Sequence, residues 1–233
     1  MVQNIYLVRH GESLANVDKR VHASRPDHKI PLSDRGVEQA NRAGEFLAQR
    51  IAAAHGTASR LRVWTSPYLR TRQTSEAFKT QLALHGVTNV DSREHINLCE
   101  QQFGLFDGVP DEELPVRFPL EHAHYDLAAR HEGKFWPRMP LGESRFDVAV
   151  RVHQAFGTFH RDADRHGIEN IIVVCHGVTL RAFVMQWRHL PFEWFEQQPN
   201  PDNCDIYHLG ATEDDDLGYV WRSAALKAEN VIV

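Results

Sequence analysis

His10 and His176 occupy matching places in the chain, each at the end of a short apolar run and each followed by glycine. The first run is Ile5-Tyr6-Leu7-Val8-Arg9-His10-Gly11-Glu12-Ser13, the second Ile171-Ile172-Val173-Val174-Cys175-His176-Gly177. A β-branched run ending in a polar group and a glycine reads as a buried parallel strand that delivers its C-terminal tip to a ligand. A neutral imidazole is a good nucleophile near pH 7. Arg9 supplies a fixed cation with a planar fork suited to phosphate, and Gly11 is expected to let the backbone approach a ligand closely. At His176-Gly177 a helix is expected to begin, and its free N–H groups and positive dipole end favour an anion. Two such tips describe a compact anion site.

Two further segments add chemistry. In Ser66-Pro67-Tyr68-Leu69-Arg70-Thr71-Arg72, Ser66 is a candidate N-cap with proline at the first helical position. Arg70 then falls in the first turn, where its charge opposes the helix dipole, a conflict that a bound anion would offset. Arg72 lies roughly 200° further round the helix and reads as a surface charge. Glu100, in the glycine-bearing stretch Leu98-Cys99-Glu100-Gln101-Gln102-Phe103-Gly104-Leu105-Phe106-Asp107-Gly108, offers what the other segments lack, a proton donor for a leaving group.

The elements that must position these groups alternate strand and helix. A strand at about 4–9 precedes a polar loop over 17–30 that carries Arg20, His22, Arg25, His28 and Lys29. Ser33 or Asp34 can cap a long helix with Val37, Ala40, Gly44, Leu47 and Ile51 on one face, ending near Gly56. Arg62-Val63-Trp64-Thr65 is a second strand, its helix stops near Gly86, and 88–94 is a third strand. Periodicity degrades over 109–140, read as a partly helical insertion capping the site, with Phe135, Trp136 and Arg138 at its rim. A capping box at Ser144 and Asp147 starts a helix with Val148, Val152, Ala155 and Phe159 on one face. A strand at 171–175, a helix at about 178–188 and two strands near 205–209 and 218–222 follow, the last pair joined by an acidic solvated turn. The expected architecture is a three-layer α/β/α sandwich with a mainly parallel central sheet, in one domain over 1–233.

Composition narrows the function classes. The chain has 233 residues, 42% hydrophobic and 24% charged, which is ordinary for a soluble globular protein. Its net charge of −5 argues against general nucleic-acid binding but leaves room for a local positive pocket. Cys99, Cys175 and Cys204 form no CxxC pair and read as reduced thiols, which with no signal peptide and no membrane-spanning run suggests a cytoplasmic protein. There is no HExxH and no cysteine–histidine spacing for zinc, so neither metal nor cofactor is expected. Oligomeric state is left open.

LVRHGES, SPYLRTRQT, LCEQQFGLFDG, PLGES and VVCHGVTLR, in that order from residue 5 to about 181, resemble the histidine phosphatase superfamily, also called the phosphoglycerate mutase-like family. The resemblance implies a phosphohistidine on His10, with Arg9, Arg70 and His176 holding the phosphoryl oxygens. It further implies a phosphate contact from Asn16, with Gly177 at the same anion site, and proton donation by Glu100 to the leaving oxygen. Glu143 matches a frequent family glutamate at the mouth of the site, where helix capping is the alternative. Arg20 and His22 are candidates for a shell around a small phosphorylated substrate. The implied activity is metal-independent hydrolysis of phosphomonoesters. The rival within the family is a phosphoglycerate mutase; such enzymes typically carry an RHY-type segment after the acid, where this chain has Gln101-Gln102-Phe103. A non-catalytic phospholigand-binding protein on the same fold is the alternative from another class.

Overall fold

A computed structural model describes residues 2–223. Six strands form one sheet in the order β3-β2-β4-β1-β5-β6: β1 (Asn4–Arg9), β2 (Leu61–Thr65), β3 (Val90–Glu94), β4 (Asn170–Cys175), β5 (Ile206–Leu209) and β6 (Gly218–Trp221). The first four are mutually parallel, β5 runs antiparallel to β1, and β6 runs antiparallel to β5. The helices are α1 (Leu14–Val17), α2 (Asp34–His55), α3 (Leu69–Leu84), α4 (Leu114–Arg117), α5 (Pro119–Glu132), α6 (Arg145–His166), α7 (Gly177–Trp187) and α8 (Phe192–Gln197).

Alternation along the central strands divides the core in two. Ile5 and Leu7 of β1, with Ile171, Val173 and Cys175 of β4, face a cluster built on Val148, Val152 and Phe159 of α6 and Phe183 of α7. Tyr6 and Val8, with Ile172 and Val174, face Ala40, Leu47 and Ile51 of α2 and Phe78 of α3. Both faces of β4 are therefore apolar, which explains its unbroken hydrophobic sequence. The connections from β1 to β2 and β2 to β3 run one way across the sheet, and the connection from β3 to β4 runs back. Right-handed crossovers consequently place α2 and α3 on one face and α6 on the other. The three-layer expectation holds.

Local signals hold with particular exceptions. Ser33 caps α2, and Ser144 with Asp147 forms the capping box of α6. Val37 is largely exposed at 43%, so the apolar face of α2 begins at Ala40. Ser66 does not cap α3: the helix starts at Leu69 with Tyr68 in the cap position and no side-chain cap bond. Phe135 does not sit at a rim. It is 2% exposed and packs 5.3 Å from Phe195, because the chain leaving α5 turns back into the core, while Trp136 stays partly exposed and Arg138 pairs with Asp147 at 2.5 Å. α4 and α5 contribute no buried residue. Among the described residues, no helix is long and apolar enough to cross a membrane.

Candidate functional site

Parallel pairing of β1 and β4 aligns Arg9 with Cys175, so the next residue of each strand, His10 and His176, emerges at the same sheet edge. Their rings meet edge to face with centroids 5.1 Å apart, and both side chains are buried. Ser66, the residue after β2, donates its N–H to Val174 O and joins the same rim. Its Oγ lies 2.9 Å from His176 Nε2. Here is the physical reason Ser66 is not a helix cap: its hydroxyl serves a histidine.

The hydrogen bonds of His10 fix its tautomer. Arg70 donates from Nε to His10 Nε2 at 3.3 Å. A guanidinium only donates, so Nε2 is the unprotonated nitrogen and Nδ1–H donates to Gly11 O at 2.7 Å. The imidazole thus presents an Nε2 lone pair inside the site, and the Gly11 carbonyl is placed to stabilise positive charge on the ring. Burial, then Arg70 and then Arg9 depress the His10 pKa well below that of free histidine. His176 is depressed likewise, by burial first and then by Arg70 and His10. Both rings are neutral at neutral pH.

Arg70 is 4% exposed, and its terminal nitrogens are occupied from within the chain. Asp27, in the 17–30 loop, accepts from Nη1 at 2.8 Å and Nη2 at 3.2 Å, and its backbone oxygen accepts a further bond at 2.8 Å. The anion that offsets an arginine at a helix start is therefore an internal carboxylate. Arg72, by contrast, is half-exposed and pairs with Glu94 at 2.6 Å, as a surface charge should.

Arg9 donates from Nη1 to Pro201 O, while its Nε is buried with no hydrogen-bond partner among the described residues. That Nε lies close to Gly177, where a Cβ would sit 3.7 Å away and 3.2 Å from Asn200 Oδ1. His176 Nδ1 is likewise buried without a partner among the described residues. An unpaired Arg9 N–H and an unpaired His176 ring nitrogen thus meet at the start of α7, where free N–H groups favour an anion.

Gly11 serves packing rather than ligand approach. A Cβ there would lie 2.4 Å from Gly36 O, because the turn after β1 crosses the first turn of α2 backbone to backbone. Asn16 Oδ1 accepts from Ser13 N at 3.0 Å in a capping box, and from Asn203 Nδ2 at 3.2 Å. Asn203 also donates to His10 O at 3.0 Å, and Cys204 N–H to Arg9 O at 3.0 Å, so the 202–205 turn braces the backbone at His10. Cys204 takes a left-handed conformation there, φ 61°.

Glu100 is half-buried on a loop that follows a short 3-10 turn, Ile96–Leu98. Its carboxylate accepts from the Gln101 amide at 2.9 Å. Burial raises its pKa above the usual carboxylate range, opposed by that amide and by Arg70 and Arg9. Tyr68 packs 5.0 Å from the His176 ring, lies under the Arg70 guanidinium at 4.8 Å, and accepts from Gln102 Nε2 at 2.9 Å. Burial pushes its phenol to about 12. A cavity of about 570 Å³ borders the site at Tyr68, lined also by His28, Lys29, Leu69, Cys99 and Gln102.

Glu143 is tied into the protein. It receives Arg151 Nε at 2.8 Å and Nη2 at 3.0 Å, and the Gln102 amide at 3.0 Å. It does not cap α6, since Ser144 and Asp147 do that. His22 lies 3.4 Å from Asp107, which raises its pKa, and packs against Gly108, where a Cβ would lie 2.3 Å from the histidine Cβ. Arg20 is exposed on the same turn, with no side-chain hydrogen bond among the described residues. Sequence reasoning missed Asp27, Ser66 as a histidine partner, Asn203 and Arg151. Only Arg151 had a signal: it stands two helical turns past the Ser144 cap, on the same side of the helix.

The profile of the histidine phosphatase superfamily, branch 1, matches residues 5–221. The chain belongs to that family. It is 35% identical over 227 residues to the Arabidopsis thaliana phosphoglycerate mutase-like protein AT74H, covering 90% of this chain and 75% of that one. It is 28% identical over 190 residues to the Saccharomyces cerevisiae fructose-2,6-bisphosphatase, covering 81% of this chain and 35% of the yeast protein. Among solved structures, a mycobacterial glucosyl-3-phosphoglycerate phosphatase complexed with VO3 superposes with a TM-score of 0.67 at 22% identity, over 90% of this chain and 93% of that one.

Proposed function

We propose that this protein is a metal-independent phosphomonoester hydrolase that works through a phosphohistidine on His10. The observation that carries the reading is the fixed tautomer of His10, whose Nε2 lone pair faces Arg70 while Nδ1–H is held by Gly11 O. In the first transfer Nε2 attacks phosphorus, the ester P–O bond breaks, and Glu100 gives its proton to the departing oxygen. In the second, the Glu100 carboxylate takes a proton from water, whose oxygen attacks phosphorus as the P–N bond breaks. Cations and hydrogen-bond donors around the equatorial oxygens supply most of the help that phosphoryl transfer needs. Arg9, Arg70, His176, the amide side of Asn16 and the helix start at Gly177 take that role. The raised pKa of Glu100 suits a general acid.

The substrate is a small phosphorylated metabolite, admitted past the 17–30 loop and beneath the 109–140 cap. Arg20 and His22 lie on that loop, His22 with its charge favoured by Asp107. Glu143 acts through the backbone it holds. The likeness to the Arabidopsis phosphoglycerate mutase-like protein keeps a mutase in view. Against it, Gln101 and Gln102 direct their side chains to Glu143 O and to Tyr68 Oη, away from an RHY-like role toward substrate.

The test is a panel of phosphomonoesters assayed for phosphate release and for 3- to 2-phosphoglycerate interconversion, with acid-labile phosphoprotein trapped in parallel. Phosphate release with a trappable phosphohistidine is expected. Interconversion with negligible hydrolysis identifies a mutase, and no turnover with no trapping identifies a binding protein.

A further inference from the structure

We propose that Arg151 is the positioning residue for Glu100, locking the loop that carries the acid onto the start of α6. The proposal rests on Glu100 as the acid–base group of the reaction above. Residues 99–103 belong to no strand or helix, so no ladder of backbone hydrogen bonds sets where Glu100 points. One side chain replaces it. Arg151 Nη1 donates to Asn97 O at 2.7 Å and Cys99 O at 2.9 Å, and Nη2 donates to Glu100 O at 3.0 Å. The rest of the fork is taken by the Glu143 carboxylate.

Glu143 returns the hold on the far side of the acid. Its carboxylate accepts the Gln102 amide and its backbone oxygen accepts Gln101 Nε2 at 2.8 Å. Thr179 of α7 adds a bond to Cys99 O at 2.7 Å. Backbone on both sides of Glu100 is thus fixed to α6 and to Glu143 just before it, while among the described residues the Glu100 carboxylate accepts the adjacent Gln101 amide alone. The Arg151 side chain is 17% exposed, so these charge-assisted bonds form in a poorly solvated place where geometry is stiff. α6 is itself fixed to the sheet by Asp162, whose carboxylate lies 2.8 Å from the buried Arg62 of β2. The path from the β2 strand to the acid is one of rigid elements and short contacts.

A planar fork with five donors can serve three carbonyls and a carboxylate at once, and a lysine cannot. Misplacing a catalytic group by about 1 Å costs roughly 10²-fold. That cost applies only where Glu100 transfers a proton. A p-nitrophenolate departs without protonation, whereas an alkoxide does not.

The experiment compares the rate of phosphohistidine formation from an alkyl phosphate and from p-nitrophenyl phosphate. The enzymes are the parent, Arg151→Gln, Arg151→Lys, Glu100→Gln and the Arg151→Gln/Glu100→Gln double variant, with a thermal melt on each. Arg151→Gln is expected to slow the alkyl reaction by roughly 10²-fold and to leave the aryl reaction close to the parent. The double variant should be no slower than Glu100→Gln alone. Arg151→Lys keeps the charge and the helix and should show the same discrimination, which separates positioning from loss of fold. Equal slowing with both esters, or a further loss in the double variant, overturns the proposal while leaving Glu100 in its role. A Glu100→Gln enzyme with no preference for the aryl ester overturns that role and the proposal with it.

Discussion

The strand tips and the Glu100 loop meet in one site but are held in place by different means. His10 and His176 follow directly on β1 and β4, whose pairing fixes them to within the tolerance of a backbone ladder. Glu100 sits on irregular chain and depends on side chains from α6 and α7. The proposed nucleophile and its clamp are therefore as stable as the sheet, whereas the proposed acid is only as well placed as a handful of charge-assisted bonds. Division of this kind lets one fold keep its phosphoryl chemistry while loop residues alter which leaving group is served.

The largest effect is expected at the tips. His10→Ala should abolish both turnover and the acid-labile phosphoprotein, and trapping with a phosphoryl donor checks it. His176→Ala should leave the phosphoprotein detectable but form it more slowly, by roughly 10²–10³-fold if His176 acts as one donor to the developing charge. Equal and complete loss from both would erase the asymmetry between nucleophile and clamp.

The pH profile reads the tips against the loop. His10 must be neutral, so kcat/KM falls as pH drops through its pKa, which burial and two arginines hold well below 6.5. Glu100 must be protonated in the first transfer, so kcat/KM falls as pH rises through its elevated pKa. Glu100→Gln should remove the alkaline limb alone. A profile whose alkaline limb survives that substitution would assign it elsewhere.

A smaller effect is expected where the loop over 17–30 reaches the tips. Asp27→Asn removes the carboxylate that competes for Arg70, and inorganic phosphate should then inhibit more strongly, by about tenfold for one charge-assisted bond. Weaker inhibition would mean that Asp27 chiefly orients the guanidinium. Smallest of all, Arg72→Ala should leave kcat/KM unchanged and alter stability by about 0–1 kcal/mol, since its pair with Glu94 is half-exposed. A denaturation midpoint and a rate measurement check both.

Much of this was legible in the chain because strands and helix caps carry their own signals. The β-branched runs ending at Arg9-His10 and Cys175-His176, the Ser33 cap and the Ser144–Asp147 box are local features, and each stands where the sequence placed it. Where reading failed, a distant partner had intervened. Ser66 looks like a cap but serves His176, 110 residues away. Gly11 looks like a ligand-facing glycine but admits Gly36. Phe135 looks like rim but meets Phe195 in the core.

The sequence by itself determined the fold class and the family, because period, capping and residue type are properties of neighbouring positions. Only the tertiary structure decided the tautomer of His10, the internal anion on Arg70 and the hold of Arg151 on the Glu100 loop. Each of these is a hydrogen bond between segments far apart in the chain, and nothing in a residue's neighbours sets the direction of such a bond.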